Sequence, residues 1–405
     1  MELHPAARTV AVDVLVSGAQ SRSQLAKKMR LSPATLTRIV RPLLDTGVLV
    51  ESGAVRTPGR GRSSLPLDVV ADDYRFIGVK LTTDSIYAVV TDLRAQILAV
   101  ETVAEPSLEV PEVVGAVAGV VARLSARAGR PVDAVGVTVG GRVDNGEMVA
   151  DSPYLHWRDV PFRTLLAREV PAPLYLANDV VGLTMAQQWF GYGRTHADFA
   201  LLTVGAGVGY GLVIDHQVVP THASPVSHLP VDPYGPVCAR GHRGCLTAYV
   251  TSEAMTAYVA QAHRRRLTYA QVLALARDGD PAALRVVREA AHALGRTVAA
   301  ITAFTGVERI IVSGEGVGLA DAAPDALREG RLDHAAGDSA AGVSPAGDRA
   351  AGNSAAGDHA AGDSAAGDSA ALEPIIDRMD FTEWARGAAV VAIQSQFPSR
   401  LGPIS

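Results

Sequence analysis

Residues 21–53, SRSQLAKKMRLSPATLTRIVRPLLDTGVLVESG, contain two short helical patterns on either side of a tight turn. Ser21 and Gln24 have the spacing of a capping box, which begins the first helix. Ser32 supplies the N-cap of the second helix, and Pro33 suits its first position because its missing N–H is not needed there. This order of signals predicts a helix-turn-helix.

The second helix has an apolar face and a polar face. The apolar residues at helical spacing are Leu36, Ile39, Val40, Leu43 and Leu44. This face must pack inward, and Pro42 within the helix predicts a bend. The residues of the opposite face are Thr35, Thr37, Arg38 and Arg41. Because hydroxyls and guanidiniums contact phosphates and base edges in a major groove, we predict that these four bind DNA. The alternative is a helical hairpin that only packs on another part of the protein.

A short β-hairpin is predicted after these helices. Residues 48–50 form a strand pattern, Ser52 and Gly53 form a turn signal, and residues 54–56 can return as the second strand. An amphipathic helix over residues 6–17, ended by Gly18, would complete a three-helix core. Residues 1–56 are therefore predicted to be a winged helix-turn-helix DNA-binding domain.

The segment that follows, residues 57–72, is rich in Gly, Pro and Arg. Such a composition is typical of a flexible linker. Arg60 and Arg62 also suit insertion into a narrow A·T-rich minor groove, where guanidiniums meet a concentrated negative potential. The sequence leaves both interpretations open, and we count the two arginines among the predicted DNA-binding residues.

Charge is distributed unevenly along the 405 residues. The first 70 residues carry ten Lys and Arg against five Asp and Glu, a net charge of +5, whereas the whole chain is −5. A basic head on an acidic body favours nucleic-acid binding by the head. Two cysteines are too few for a disulfide framework, and we find no signal peptide and no apolar run of about 18 residues. We expect a cytoplasmic protein with no membrane partner.

Residues 73–405 follow a different pattern. Strands and then helices occur twice, which predicts two α/β lobes with a cleft between them. Separate helices are predicted at residues 281–292 and 293–305. Pentads of the type Ala-Ala-Gly-Asp-Ser fill residues 335–371 with almost no large apolar residue. This segment cannot offset its ordering entropy, so we predict a disordered insertion.

Five features together resemble the ROK family, which groups repressors and sugar kinases. They are the N-terminal head, the linker ending Leu65-Pro66-Leu67, Asn178-Asp179, the hairpin LTVGAGVGYG (residues 202–211) and HLPVDPYGPVCARGHRGCLTAY (residues 228–249). The hairpin glycines recur at every second residue, which is not the spacing of a dinucleotide-binding fingerprint. The resemblance implies an α/β protein with a two-lobed, actin-like (ribonuclease H-like) sugar-kinase fold behind the winged helix-turn-helix. It also implies a sugar-responsive transcriptional repressor.

Kinases of the family begin with an Asp-x-Gly-x-Thr segment that holds Mg·ATP. This chain has Lys80 where that first carboxylate stands, and Ala206 replaces a hydroxyl residue of the second phosphate loop. A cation in place of the metal-linked carboxylate argues against phosphoryl transfer. Asp179 matches the catalytic base, but without ATP it would only accept hydrogen bonds from a ligand.

The resemblance also implies an effector site built from Asn178, Asp179 and His228. Pro225 and Thr247 stand where the family has two sugar-contacting glutamates, so this site is degenerate. Two carboxylates that could grip paired sugar hydroxyls are missing. We expect weak binding of a sugar or sugar phosphate, or a different ligand.

The family's zinc set is one histidine and three cysteines. His228, Cys238 and Cys245 match it, whereas Arg240 replaces the middle cysteine. His242 is close in sequence and could supply a fourth ligand, but Arg240 would place a positive charge where the metal would lie. We therefore expect a metal-free loop around two buried thiols, and no cofactor.

The sequence predicts a DNA-binding transcriptional regulator, and specifically a repressor of carbohydrate-related genes, not an enzyme. Its expected partner is double-stranded DNA. It should act as a homodimer or a higher homo-oligomer, because helix-turn-helix proteins generally bind two half-sites. The alternatives are a ROK-type carbohydrate kinase and a DNA-binding or scaffold protein that needs no ligand.

Overall fold

The computed structural model describes residues 5–52, 65–104, 107–220, 225–340 and 373–400. Its helices are α1 (Pro5–Ser17), α2 (Arg22–Lys28), α3 (Pro33–Asp45), α4 (Val110–Arg127), α5 (Phe162–Leu166), α6 (Asp179–Phe190), α7 (Leu246–Val250), α8 (Ser252–His263), α9 (Tyr269–Arg277), α10 (Pro281–Thr305), α11 (Gly318–Ala322), α12 (Pro324–Ala340) and α13 (Phe381–Arg400). Short 3-10 turns occur at Ala71–Asp73, Tyr192–Arg194 and Pro225–His228.

The strands of the described residues are β1 (Val50–Glu51), β2 (Leu67–Asp68), β3 (Phe76–Leu81), β4 (Ser85–Thr91), β5 (Ile97–Ala104), β6 (Ala134–Val139), β7 (Arg142–Asp144), β8 (Met148–Ser152), β9 (Trp157–Val160), β10 (Leu174–Asn178), β11 (Phe199–Val204), β12 (Val208–Ile214), β13 (Gln217–Val219), β14 (Ile310–Ser313) and β15 (Ile375–Ile376). They form four sheets with the orders β1-β2, β10-β6-β3-β4-β5, β13-β12-β11-β14-β15 and β7-β8-β9. This is an α/β fold with two mixed five-stranded sheets.

The N-terminal head consists of α1–α3, β1 and β2. Ser21 Oγ accepts the Gln24 N–H at 3.2 Å, and the Gln24 side chain bonds back to the Ser21 N–H at 2.8 Å, which confirms the capping box. Ser32 Oγ accepts the Thr35 N–H at 3.1 Å. α3 continues through Pro42 to Asp45. The buried residues at the centre of the head are Val10, Val14, Leu25, Leu36, Val40 and Leu43.

The pairing of β1 corrects the predicted hairpin. Its partner is β2, with Val50 opposite Asp68 and Glu51 opposite Leu67. Leu67 is fully buried and exchanges two backbone hydrogen bonds with Gln20. Leu67 and Asp68 therefore belong to the head, not to a linker. Residues 54–56, which we predicted as the returning strand, lie outside the described residues. Composition misled us here, because a buried two-residue strand leaves little local signal within a Gly- and Pro-rich segment.

The first compact unit contains Met1–Phe199, Gly211–Ala223 and Met379–Ser405. In its five-stranded sheet, β6 pairs in parallel with β3 and with β10. β4 pairs antiparallel with β3 and with β5. α13 lies directly on this sheet, since a Cβ added at Gly78 would be 2.0 Å from the Ala385 carbonyl oxygen and one at Gly136 1.8 Å from that of Ala388. α4 packs against the other face of the sheet. The strand glycines are thus required by the close approach of a helix backbone.

The core of the head continues into the body of this unit. Leu15 and Leu36 from the head share one buried cluster with Phe76 on β3, Leu93 after β4 and Ile393 on α13. The body of the first unit therefore supports the head through buried apolar contacts as well as through the chain itself.

The second compact unit contains Ala200–Tyr210 and Ser224–Arg378. β11, β14 and β15 pair in parallel within it. α10 is one helix of 25 residues, so the predicted division near residue 292 is wrong. A Cβ at Gly295 would lie 2.1 Å from the Leu327 carbonyl oxygen, so α10 and α12 pack closely.

α12 also corrects the predicted insertion. It runs to Ala340, so residues 335–340 are helical and not disordered. Most of the predicted insertion, from residue 341 to 371, lies outside the described residues. Across the ranges that the structure describes, no helix is both long enough and apolar enough to cross a membrane.

Candidate functional site

The polar face of α3 is open to solvent. Thr37, Arg38 and Arg41 are exposed and Thr35 is half-buried. Arg41 is paired only loosely, with its Nε 3.9 Å from Asp45 Oδ2, and Arg38 forms no ion pair with any other described residue. Thr37 Oγ1 donates to the Pro33 carbonyl at 2.8 Å, which leaves its lone pairs outward. The four predicted residues therefore lie together on one helix, with both guanidiniums available.

The sequence interpretation missed two further cations of the head. Lys27, near the end of α2, and Arg30, in the turn before α3, are exposed. The spacing of the turn could have identified them, since the end of one helix and the start of the next flank the same groove in a helix-turn-helix. Arg60 and Arg62 lie outside the described residues.

Lys80 and Asp179 form a buried ion pair in the first unit. Lys80 Nζ, on β3, donates to Asp179 Oδ2 at the first position of α6, and both side chains are largely buried. The ammonium also lies 5.4 Å from the centroid of the Trp384 ring on α13. A general base needs a free carboxylate. Lys80 already binds the Asp179 carboxylate, so Asp179 is not available as a general base.

Asn178 serves as the N-cap of α6. Its Oδ1 accepts the N–H groups of Val180 at 2.9 Å and Val181 at 3.2 Å, and its Nδ2 donates to the Gly141 carbonyl at 2.7 Å. Asn178 and Asp179 are thus brought together as predicted. The Asn178 amide is already occupied by these structural bonds, however, and Asp179 is held by Lys80.

In the second unit, Glu315 occupies the turn of the glycine hairpin. Its carboxylate accepts the backbone N–H of Ala206 at 2.6 Å, and a Cβ at Gly205 would lie 2.1 Å from the same carboxylate. A fixed anion therefore sits where the hairpin N–H would otherwise meet an anionic ligand. The sequence interpretation missed Glu315, although an acidic residue between Gly314 and Gly316 after a buried strand is a visible signal.

A four-residue cluster forms around His228. His228 Nδ1 lies 3.5 Å from Cys245 Sγ and 3.8 Å from Cys238 Sγ, and the His228 and His242 rings are 4.5 Å apart between centroids. One ligand atom from each of the four residues lies within 4.8 Å of every other. Both thiols are free and buried.

These distances fit tetrahedral zinc. With Zn–S of about 2.3 Å and Zn–N of about 2.0–2.1 Å, the sulfur and nitrogen atoms of such a centre are about 3.6 Å apart. Arg240 is exposed, so its charge lies at the surface. The structure thus brings His242 into the position of a fourth ligand and places the side chain of Arg240, whose charge was the argument for a metal-free loop, at the surface. Since Nδ1 of His228 faces the thiols, Nε2 is the nitrogen left for a ligand.

Local electrostatics favour the metal-binding protonation state at two ligands of the cluster and oppose it at a third. Burial, together with the nearby His242 and Arg240, lowers the pKa of His228, which keeps its imidazole neutral. Burial raises the pKa of the Cys238 thiol, but the N–H groups of Arg240 and His242 outweigh this and lower it overall. Metals bind neutral imidazole and thiolate, so these two shifts help binding, whereas burial raises the pKa of the Cys245 thiol and opposes it.

Residue 247, the second lost glutamate of the resemblance, has a structural role in this chain. Thr247 Oγ1 donates to the Ser227 carbonyl at 2.5 Å. This bond ties the start of α7 to the turn that carries His228. The hydroxyl therefore holds the loop in place and is not free for a ligand.

Comparison with known proteins fits this combination of a helical head and a two-unit body. Residues 76–356 match the ROK family. The chain belongs to the ROK family. Among its curated relatives, the xylose repressor of Caldicellulosiruptor bescii is 22% identical over 330 residues, which cover 76% of this chain and 82% of the relative. The DNA-binding transcriptional repressor Mlc of Escherichia coli is 23% identical over 314 residues, which cover 73% and 77%.

Solved ROK structures differ in how much of this chain they cover. A ROK family transcriptional regulator, a homologue of E. coli Mlc, superposes with a TM-score of 0.74 at 19% identity and covers 98% of both chains. The ROK glucokinase of Streptomyces griseus has a TM-score of 0.59 at 23% identity, covering 98% of its own chain but only 78% of this one. The fold of this chain is thus that of a ROK regulator across its length, and the curated relatives above are named repressors, not kinases.

Proposed function

We propose that this protein is a DNA-binding transcriptional repressor of carbohydrate-related genes. The observation that carries the proposal is the exposed face of α3, where Arg38 and Arg41 flank Thr37 on a head with net positive charge. We propose that this head is a winged helix-turn-helix with α3 as its recognition helix and β1–β2 in its wing. DNA as the partner implies a cytoplasmic location.

The body, in this proposal, is a two-lobed actin-like domain that no longer transfers phosphate. Lys80 neutralises Asp179, and Glu315 fills the glycine hairpin. A carbohydrate kinase would need both groups free. The relatives named as sugar repressors support a carbohydrate-linked role in regulation.

We propose that any effector is a sugar or sugar phosphate that binds weakly. Of the three predicted contacts, Asn178 is engaged by the α6 N-cap, and Asp179 is engaged by Lys80 and by the Val180 N–H. His228 Nε2 is the one that remains. Each neutral hydrogen bond contributes about 0.5–1.5 kcal/mol. A single such contact falls short of about 4.1 kcal/mol, which corresponds to a millimolar Kd, so a simple sugar should bind more weakly than that.

The decisive experiment measures DNA binding by variants of α3. The operator is first obtained by selection from randomised duplexes with the full chain. Arg38→Ala and Arg41→Ala should each weaken its binding by about 1–3 kcal/mol if they contact bases. Arg142→Ala is the matched control, since Arg142 pairs with Asp144 at the surface of the body. Unchanged affinity in both α3 variants would refute the proposed face.

Oligomeric state is part of the same proposal. We propose a homodimer that binds two half-sites about one DNA turn apart. Analytical ultracentrifugation of the protein with the selected duplex should give two chains per duplex, and the selected sequence should be a palindrome. A single chain bound to an asymmetric sequence would contradict it.

A further inference from the structure

The turn between β4 and β5 joins the sheet of the first unit to the head. Leu93 and Ala95, in this turn, are buried in the same cluster as Val14 and Leu15 of α1. Arg94 stands between them. The turn therefore enters the core of the head, although it belongs to the sheet of the body.

Arg94 binds both a helix and a strand of the head. Its Nε donates to the Leu15 carbonyl and its Nη2 to the Val14 carbonyl, each at 3.3 Å. Its Nη2 also bonds to Asp68 Oδ1 on β2 at 2.5 Å. α1 ends at Ser17, so these carbonyls belong to its last turn, where a cation is favoured. The Val14 carbonyl also accepts the Gly18 N–H at 3.0 Å.

The turn itself is held firmly. Asp92 Oδ1 accepts the N–H groups of Arg94 and Gln96, both at 2.9 Å. The Leu93 N–H donates to the Ala71 carbonyl at 3.2 Å. Arg94 cannot shift relative to β4 without breaking these bonds, so a movement of the strand reaches α1 directly.

The Lys80–Asp179 pair lies near the far end of β3, the strand that pairs with β4. On β3, Phe76 lies opposite Thr91, next to the turn, and is buried in the cluster shared with the head. Lys80 lies four residues further on the same face of the strand, about 13 Å away. β3 and β4 therefore connect the buried ion pair to the Arg94 contacts by one continuous ladder.

We propose that the β4–β5 turn is the joint between the Lys80–Asp179 site and the head, and that Arg94 is its positioning residue. A change at the ion pair alters the head by way of Arg94. An effect of this change on DNA binding rests on the proposed function. The mechanical coupling between the ion pair and the head does not.

The test is a double-mutant cycle read by hydrogen exchange in the full chain. The four proteins are the wild type, Lys80→Met, Arg94→Ala and the double variant. Arg94→Ala should raise exchange in residues 5–17 about tenfold, because charged hydrogen bonds are lost. Lys80→Met should raise it about threefold when Arg94 is present and should add nothing when Arg94 is absent. Additive effects would mean that Arg94 is only structural and would overturn the joint.

Controls keep the outcomes distinct. Arg142→Ala, at an exposed pair of the same unit, should leave head exchange unchanged. Exchange in Ala134–Val139 reports whether the sheet stays folded. If Arg94→Ala disturbs that strand, Asp68→Asn replaces it in the cycle, because it removes the ion pair and leaves the carbonyl contacts. Failure of the wild type to bind the selected duplex would refute the proposed function and leave the joint standing.

Discussion

Two single residues decide what the body of this protein can do chemically. Lys80 forms an ion pair with the carboxylate of Asp179. The Glu315 carboxylate accepts a hydrogen bond from the N–H of Ala206. In the second unit, a phosphate at the hairpin would meet the Glu315 carboxylate. In the first unit, Asp179 is not available as a free base because Lys80 binds it.

We expect no sugar-dependent ADP release from the purified protein. A coupled assay with ATP, Mg²⁺ and a panel of hexoses and N-acetylhexosamines should remain at the rate measured without sugar. The variant Glu315→Gly should bind ADP more tightly than the wild type, because it removes the carboxylate that repels phosphate and frees the hairpin N–H. Sugar-dependent turnover by the wild type that Asp179→Asn abolishes would contradict the non-enzyme conclusion.

His242 decides the metal chemistry of the loop. We expect about one zinc per chain by elemental analysis, held by His228, Cys238, His242 and Cys245. His242→Ala should lower zinc affinity strongly and lower the melting temperature of the full chain, since bound metal stabilises the folded loop. Arg240→Ala, beside the cluster but outside it, is the matched control. Zinc-free protein after growth in zinc-supplemented medium would show that the close approach of the four ligands is only structural.

At the scale of the element, the β4–β5 turn carries a pH dependence through Asp92. Burial raises the pKa of Asp92, although the N–H bonds from Gln96 and Arg94 oppose the shift. Folded protein therefore holds this proton to higher pH than the unfolded chain. The stability that Asp92 contributes is fully present below the ordinary Asp pKa of about 3.9 and is lost as pH rises through the raised value.

Asp92→Asn separates this titration from the turn's hydrogen bonds. An amide oxygen accepts the same two N–H groups and carries no charge. The free energy of unfolding of the wild type relative to the variant should fall as pH rises through that window and then stay constant. Urea titrations in steps from pH 4 to pH 7 measure it, with Asp144→Asn at the surface as a control. A difference that is independent of pH would contradict the assigned cause.

Elements with local signals were predicted well, and those that depend on distant pairing were not. The caps at Ser21 and Ser32 placed α2 and α3 correctly because capping is decided within four residues. β2 was missed because its two residues gain their burial from Gln20 and β1. The division of α10 was wrong because its middle is alanine-rich and its inward face is defined by distant helices, among them α7, α9 and α12.

The same distinction between local and distant signals applies to the candidate site. Residue types identified the α3 face, Asp179 and the two thiols, since each is a matter of chemistry at one position. The roles of Lys80, Glu315 and His242 depend on partners 99, 109 and 14 positions away, at Asp179, Ala206 and His228. No local pattern shows that a side chain already has a partner, so the sequence overestimated how many groups were free.

At the scale of the whole molecule, the division of charge predicts that the proposed DNA binding depends on salt. The first 70 residues are +5 within a chain of −5, so an acidic body is carried beside a basic head. DNA affinity should therefore fall steeply with salt, with a slope of about −0.9 in log–log form for each phosphate contacted.

Arg60→Ala/Arg62→Ala should reduce that slope by up to about 2, and should weaken binding most where A·T-rich sequence flanks the operator. Fluorescence anisotropy at four salt concentrations measures both effects. Arg123→Ala is the matched control, because Arg123 pairs with Glu101 on the body. An unchanged slope in the double variant, with equal loss on all flanks, would mean that residues 57–64 act only as a linker.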